Sequence, residues 1–198
     1  MTDMIPTLLN EIAPRAAQAR PLDVRIGAHW TYVAMELDGQ TLAGLSSTLS
    51  GGSHETHRRG VMPVPDAGGL LDYTACDLAA LARSDSLLET SVGMATINAL
   101  LEVDEAACTE LNAADVIAER GAGSKIAVVG HFPFIPALRE VAAQLWVLEL
   151  NPSPGDLPAE AAEEVVPEAD VVALTGTSLL NQTFDGLISL CRPDAYVV

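Results

Sequence analysis

The second half of the chain sets the tightest limit on the fold. Four short apolar runs, Ile126–Gly130, Leu145–Leu150, Val171–Thr175 and Tyr196–Val198, alternate with stretches of helical character at Pro136–Gln144, Pro158–Val165 and Leu179–Leu190. Runs that are apolar at nearly every position belong to strands covered on both faces, which is the habit of parallel sheets. Right-handed crossovers then bring the strand C-termini to one edge, and open α/β sheets bind ligands outside that edge. Ala113–Glu119 reads as a short helix capped by Asn112 and ended by Gly121, leading into the first run.

The first half has a different rhythm. Thr2 or Asp3 caps a first helix with Ile5, Leu8, Leu9 and Ile12 on its apolar stripe, and Pro14 and Pro21 bracket its end. Val24–Leu37 reads as one strand. Asp38-Gly39 is a hairpin signal, and Gln40–Thr48 is the returning strand. Gly51–Gly69 reads as loop, Asp72–Arg83 as a helix and Leu87–Leu101 as a second helix rich in Ala, Leu and Met. The expected architecture is α/β: a small α+β unit over residues 1–108, then a parallel-sheet unit over residues 109–198. A strand at the last residue, without a closing helix, predicts that the natural domain continues past Val198.

Composition removes several function classes. Hydrophobic residues are 49% of the 198, enough for a full core and too many for low-complexity disorder. Ten basic against 27 acidic side chains leave a net charge of −17, which repels a phosphate backbone, and 4% aromatics is too few for a base-stacking surface. Nucleic acid is therefore not an expected partner. The charge serves solubility or draws cations. Cys76, Cys108 and Cys191 are scattered and odd in number, with neither disulfide-framework nor zinc-ribbon spacing. The N-terminus carries acids and a proline instead of a signal-peptide core, and no run approaches the roughly 20 apolar residues of a membrane span. A soluble, cytoplasmic protein is expected.

Three segments carry a resemblance: Ser91–Leu100 (SVGMATINAL), Lys125–Phe134 (KIAVVGHFPF) and Ala169–Ser178 (ADVVALTGTS) with Asn181 and Thr183 following. Glu149 with Pro154–Pro158 adds a fourth. In order and spacing, from about Asp23 to the C-terminus, they resemble the heavy-metal-chelation domain family, long catalogued as a domain of unknown function. The resemblance implies a first half like the N-terminal domain of enolase, a Rossmann-like second half and a site between them. Family members continue past the last strand into a Gly-Pro-Ser-type loop that is absent here.

The residues that carry chemistry cluster at the expected strand ends. Gly130 allows close backbone approach after the first run, although the dinucleotide pattern GxGxxG is missing and Pro133 removes a donor. His131 at the strand tip is a metal ligand, a general base or a plain loop residue. Glu149 is an acid in an otherwise apolar run; it accepts from a ligand hydroxyl, as acids there do in Rossmann-type sheets, or lies half-exposed at a strand end. Thr175, Gly176 and Thr177, with Asn181 beyond, gather hydroxyls and N–H groups for a phosphate, carboxylate or amide, or serve as helix caps. Asn98, a lone amide on a small-residue helix, is either a staple or a ligand contact. His54 and His57 are three apart in a loop and do not form HExxH; with His131 they are the metal-ligand candidates, and Arg58-Arg59 beside them repel a cation.

These readings support a small-molecule or metal ligand bound between the two halves, with His131 and Glu149 the acid–base pair if there is catalysis. The bound group would be a divalent metal, a metal chelate or a nucleotide-like small molecule. The alternatives are a nucleotide-like-cofactor enzyme and a non-catalytic interaction module, a homodimer formed through the edge of the last strand.

Overall fold

The computed structural model describes residues 3–49, 64 and 66–198. One compact unit lies within Met1–Val103 and takes in Leu179–Asn181; the other holds Asp104–Ser178 and Gln182–Val198. The division lies at Val103, ahead of the expected residue 108.

In the first unit, helix α1 (Met4–Ala16) is followed by an antiparallel sheet, β1 (Arg20–Ile26), β2 (Trp30–Leu37) and β3 (Gln40–Ser47), in the order β1-β2-β3. One expectation is corrected here. Val24–Leu37 is not one strand: the chain reverses at Gly27–His29, Ile26 pairs with Thr31, and the Gly27 N–H donates to the Trp30 carbonyl at 2.9 Å. Glycine inside a strand pattern is a turn signal as well as a strand interruption. Helix α1 ends at Ala16, between Pro14 and Pro21 as expected, with Pro14 inside its last turns. Pro21 sits on the edge strand β1, beside a register shift, where a missing donor is tolerated. The Asp38-Gly39 turn is as expected, with both residues at positive φ, 52° and 77°.

Helix α2 (Ala75–Ala80) is shorter than the expected 72–83, and single 3₁₀ turns flank it at Leu70–Asp72 and Leu81–Arg83. Thr74 and Asp77 close a reciprocal cap at its start, and the Thr74 hydroxyl, then its N–H, hold the Asp77 carboxyl below the usual range. Helix α3 (Leu87–Leu100) is buried on nearly every side because its small residues admit neighbours at backbone distance. A Cβ built on Gly44 of β3 would lie 2.1 Å from the Ala95 carbonyl oxygen, and one on Gly93 would lie 2.0 Å from the Ala82 nitrogen.

The second unit is a five-stranded parallel sheet. It comprises β4 (Lys125–Val129), β5 (Gln144–Glu149), β6 (Leu157–Pro158), β7 (Val171–Leu174) and β8 (Tyr196–Val197), in the order β6-β5-β4-β7-β8. Ile126, Ala127 and Val128 are all fully buried, so consecutive residues face core on opposite sides of the sheet. One layer packs Ala127, Leu148 and Val172 under α6 (Ala162–Val165); the other packs Ile126, Val128 and Val171 under α4 (Ala113–Gly121) and α5 (Ile135–Val141). The Asn112 cap on α4 is present, its side chain accepting the Ala114 N–H at 2.9 Å.

Two helical stretches differ from expectation. Leu157–Pro158 is a short strand, and only Ala162–Val165 is α-helix in the expected 158–165. Residues 179–190 are interrupted between α7 (Thr177–Leu180) and α8 (Phe184–Leu190), where Gln182 turns to φ 60°. Among the described residues no helix is long and apolar enough to cross a membrane.

Candidate functional site at the strand ends

The strand order makes one place at the sheet's edge special. From β4 the chain steps outward through β5 and β6, then crosses to the other side of β4 to form β7 and β8. The C-terminal ends of β4 and β7 mark the switch point at which the connections diverge. Hydrogen bonds tie this region: the Gly130 N–H donates to the Leu148 carbonyl at 2.9 Å, and the Thr175 N–H to the Val129 carbonyl at 3.0 Å. Gly130 has φ +110°, and a Cβ there would lie 3.0 Å from Phe132 Cε2 and 3.1 Å from Thr175 Cβ. The loops after β4 and after β7 thus meet at Gly130.

His131 leaves this junction with its ring 54% exposed, and its Nδ1 lies 3.1 Å from Asp156 Oδ2. The Asp156 side chain is 3% exposed, and the same Oδ2 accepts the Ser153 N–H at 3.1 Å. The Asp156 N–H donates back to the Ser153 carbonyl at 2.9 Å, closing a turn through Gly155. Asp156 was not singled out in the sequence. Its local signal was the turn composition Ser-Pro-Gly-Asp; pairing with a residue 25 positions away left none.

The other candidates fall out as follows. Glu149 closes β5, half-buried, and its Oε2 accepts the Leu150 N–H at 3.1 Å. Thr175 is a hub: its hydroxyl lies 3.0 Å from that of Thr177 and accepts the Thr177 N–H at 3.3 Å, while its carbonyl accepts from the Ser178 hydroxyl at 2.7 Å. Gly176 is exposed with open space around it. Asn181 belongs to the first unit. In the first unit, the Asn98 side chain donates to the Leu45 carbonyl at 2.8 Å and staples α3 to β3. His54 and His57 lie outside the described residues.

Charge is sharply sorted across the sheet. The second unit has four cations, Arg120, Lys125, Arg139 and Arg192. Lys125 opens β4, and its Nζ is 2.9 Å from Glu168; Arg192 precedes β8 and reaches Asp170 at 2.8 Å. Arg120, in the last turn of α4, sits 4.9 Å over the ring of Tyr196, which opens β8, and Arg139 is in the last turn of α5, just before β5. All four lie toward the N-terminal edge. The C-terminal loops, 130–134, 149–156 and 175–176, contain no Lys or Arg.

Comparison with known proteins agrees with this architecture. Two family descriptions, both worded "Putative heavy-metal chelation", match residues 9–101 and 112–198. The chain belongs to this heavy-metal-chelation family. An uncharacterized protein of Methanocaldococcus jannaschii is 26% identical over 190 residues, covering 93% of this chain and 71% of that one. A crystal structure of a DUF364-family protein of unknown function from Desulfitobacterium hafniense superposes with a TM-score of 0.79 at 25% identity, covering 98% of this chain and 75% of that one. Another member of unknown function, from Pyrococcus horikoshii, shares the fold with a TM-score of 0.80 at 17% identity over 98% and 76% of the two chains.

The family description implies a metal, and the residues can be tested against one. A protein-held centre of N, O and S donors needs three or four side chains converging on one point. Among the described residues no group of three or more His, Cys, Asp or Glu side chains does so. His131 and Asp156 make a pair, and Glu149 is turned to its own backbone. The described residues therefore do not fit a resident metal centre.

Proposed function

We propose that the second unit binds a small ligand, a metabolite or a ready-made metal chelate, at the C-terminal edge of its parallel sheet. The observation that carries this reading is the switch point between β4 and β7, where Gly130 at φ +110° lets the two loops close on each other. Gly130, His131, Glu149, Thr175, Gly176 and Thr177 lie on the three loops around that point. A chelate that arrives with its own ligands needs one or two protein donors, which suits a family described by chelation whose described residues hold no donor trio.

A nucleotide-like cofactor is less well supported. The three loops carry no Lys or Arg, GxGxxG is missing, and α5 has only seven residues, with Pro133 just before it and Pro136 in its first turn. The test is a thermal-shift screen of the full chain against metabolites, divalent metal ions, metal chelates and nucleotides. The His131→Ala/Glu149→Gln double variant is expected to lose the stabilisation given by any hit. Retention of that stabilisation in the folded double variant would overturn the assignment.

A further inference from the structure

Asp156 is a buried carboxylate, and among the described residues no Lys or Arg is paired with it. Its side chain is 3% exposed, and the groups that reach Oδ2 are the Ser153 N–H and His131 Nδ1, each at 3.1 Å. An ionised carboxylate only accepts, so the atom facing it must carry the hydrogen. In the neutral ring that geometry puts the hydrogen on Nδ1 and leaves Nε2 with a lone pair. Among the described residues nothing hydrogen-bonds to Nε2, while just over half of the side chain is open to solvent. The arrangement is that of a histidine oriented from behind by a carboxylate. Here the carboxylate is itself locked by the Ser153–Asp156 turn.

We infer that Asp156 is a positioning residue that holds His131 as its Nδ1–H tautomer, so that Nε2 faces the ligand as an acceptor. For the neutral ring, the ligand group at Nε2 is one that takes up a lone pair, a hydrogen-bond donor or the open position of a metal chelate, and not a phosphate or carboxylate. This rests on the strand-end binding reading and sharpens it. A lone pair repels an anionic oxygen; an O–H, an N–H, an ammonium or a chelated metal satisfies it. The loops 130–134, 149–156 and 175–176 favour the same class, because they carry Glu149 and the carboxylate behind His131 and no Lys or Arg.

The tautomer can be read without any ligand. The full chain has four histidines, so ¹⁵N-histidine labelling gives few signals, and a His131→Gln variant assigns the relevant ring. At alkaline pH, where imidazoles are neutral, long-range ¹H–¹⁵N correlations should show His131 protonated on Nδ1 and bare on Nε2. Asp156→Ala should lose that bias and give a predominantly Nε2–H ring, as in free histidine. Asp156→Asn should keep it, because the amide oxygen held by the Ser153 N–H can still accept from Nδ1; this variant also guards against collapse of the turn. A wild-type ring that is mainly Nε2–H, or an Asp156→Ala ring unchanged from wild type, overturns the positioning role. Inorganic phosphate should leave the His131 signals in place, and a saturable phosphate-induced shift overturns the ligand class. None of these readings depends on the thermal-shift screen, so either proposal can fail alone.

Discussion

Replacing Gly130 with alanine should destabilise the second unit by about 2–4 kcal/mol, the sum of a backbone and a packing cost. The backbone contribution comes from φ +110°, outside the left-handed well, where a side chain costs about 1–3 kcal/mol. The packing contribution comes from Phe132 Cε2 at 3.0 Å and Thr175 Cβ at 3.1 Å from the new methyl. The Phe132 ring edge can swing by a few tenths of an ångström. Thr175 cannot, because its N–H is held by the Val129 carbonyl at 3.0 Å. Displacing it adds about 1 kcal/mol or more. Gly155→Ala supplies the control: its φ is +100°, with nothing within 4 Å of the added Cβ, so it bears the backbone cost alone. The chain has two tryptophans, Trp30 in β2 and Trp146 in β5. In a Trp30→Phe background, urea unfolding followed by Trp146 fluorescence reads the second unit, and the midpoint should fall without a change in slope. If Gly130→Ala and Gly155→Ala lose the same stability, the loops after β4 and β7 do not meet as described, and the switch-point site loses its support.

Two further perturbations test the scaffold. Gly44→Ala should cost the first unit roughly 3 kcal/mol or more, because the new methyl meets backbone atoms of α3, the Ala95 oxygen and the Ala99 nitrogen, that cannot rotate away; a thermal melt by far-ultraviolet circular dichroism that is unchanged would contradict the helix-on-sheet contact. Asp170 is held below the ordinary carboxylate range by the Lys125 N–H and then by Arg192. Its contribution is therefore present above the ordinary carboxylate value and lost as pH falls through the lower folded value. Asp170→Asn should be less stable than the parent at neutral pH, with the gap closing in acid. A gap that widens in acid would reverse the assigned sign.

Much of the fold was legible because its signals are local. The runs around Ile126, Leu145 and Val171 are apolar at successive positions, which a strand tolerates only when both faces are covered, and their alternation with helical stretches implied a parallel sheet. Asp38-Gly39 and Asn112 also acted within a few residues of themselves. The misreadings came where a local pattern had two structural meanings. Gly27 is compatible with a strand interior or with a turn, and pairing of Ile26 with Thr31 decided for the turn. Pro14 and Pro21, by contrast, bracket the end of α1 as read, which falls at Ala16, a residue buried in the core of the first unit.

The candidate site divides in the same way. The sequence alone determined that Gly130, His131, Glu149 and Thr175 follow or end apolar runs, and so belong at one edge of a parallel sheet, because chain direction and crossover handedness leave no other arrangement. Only the tertiary structure decided the order β6-β5-β4-β7-β8, and with it that the Gly130 and Thr175 loops touch. It also decided that Asp156 stands behind His131. Strand order and a hydrogen bond between residues 25 apart are set by how whole elements share two core layers, and no window of sequence short enough to read contains that information.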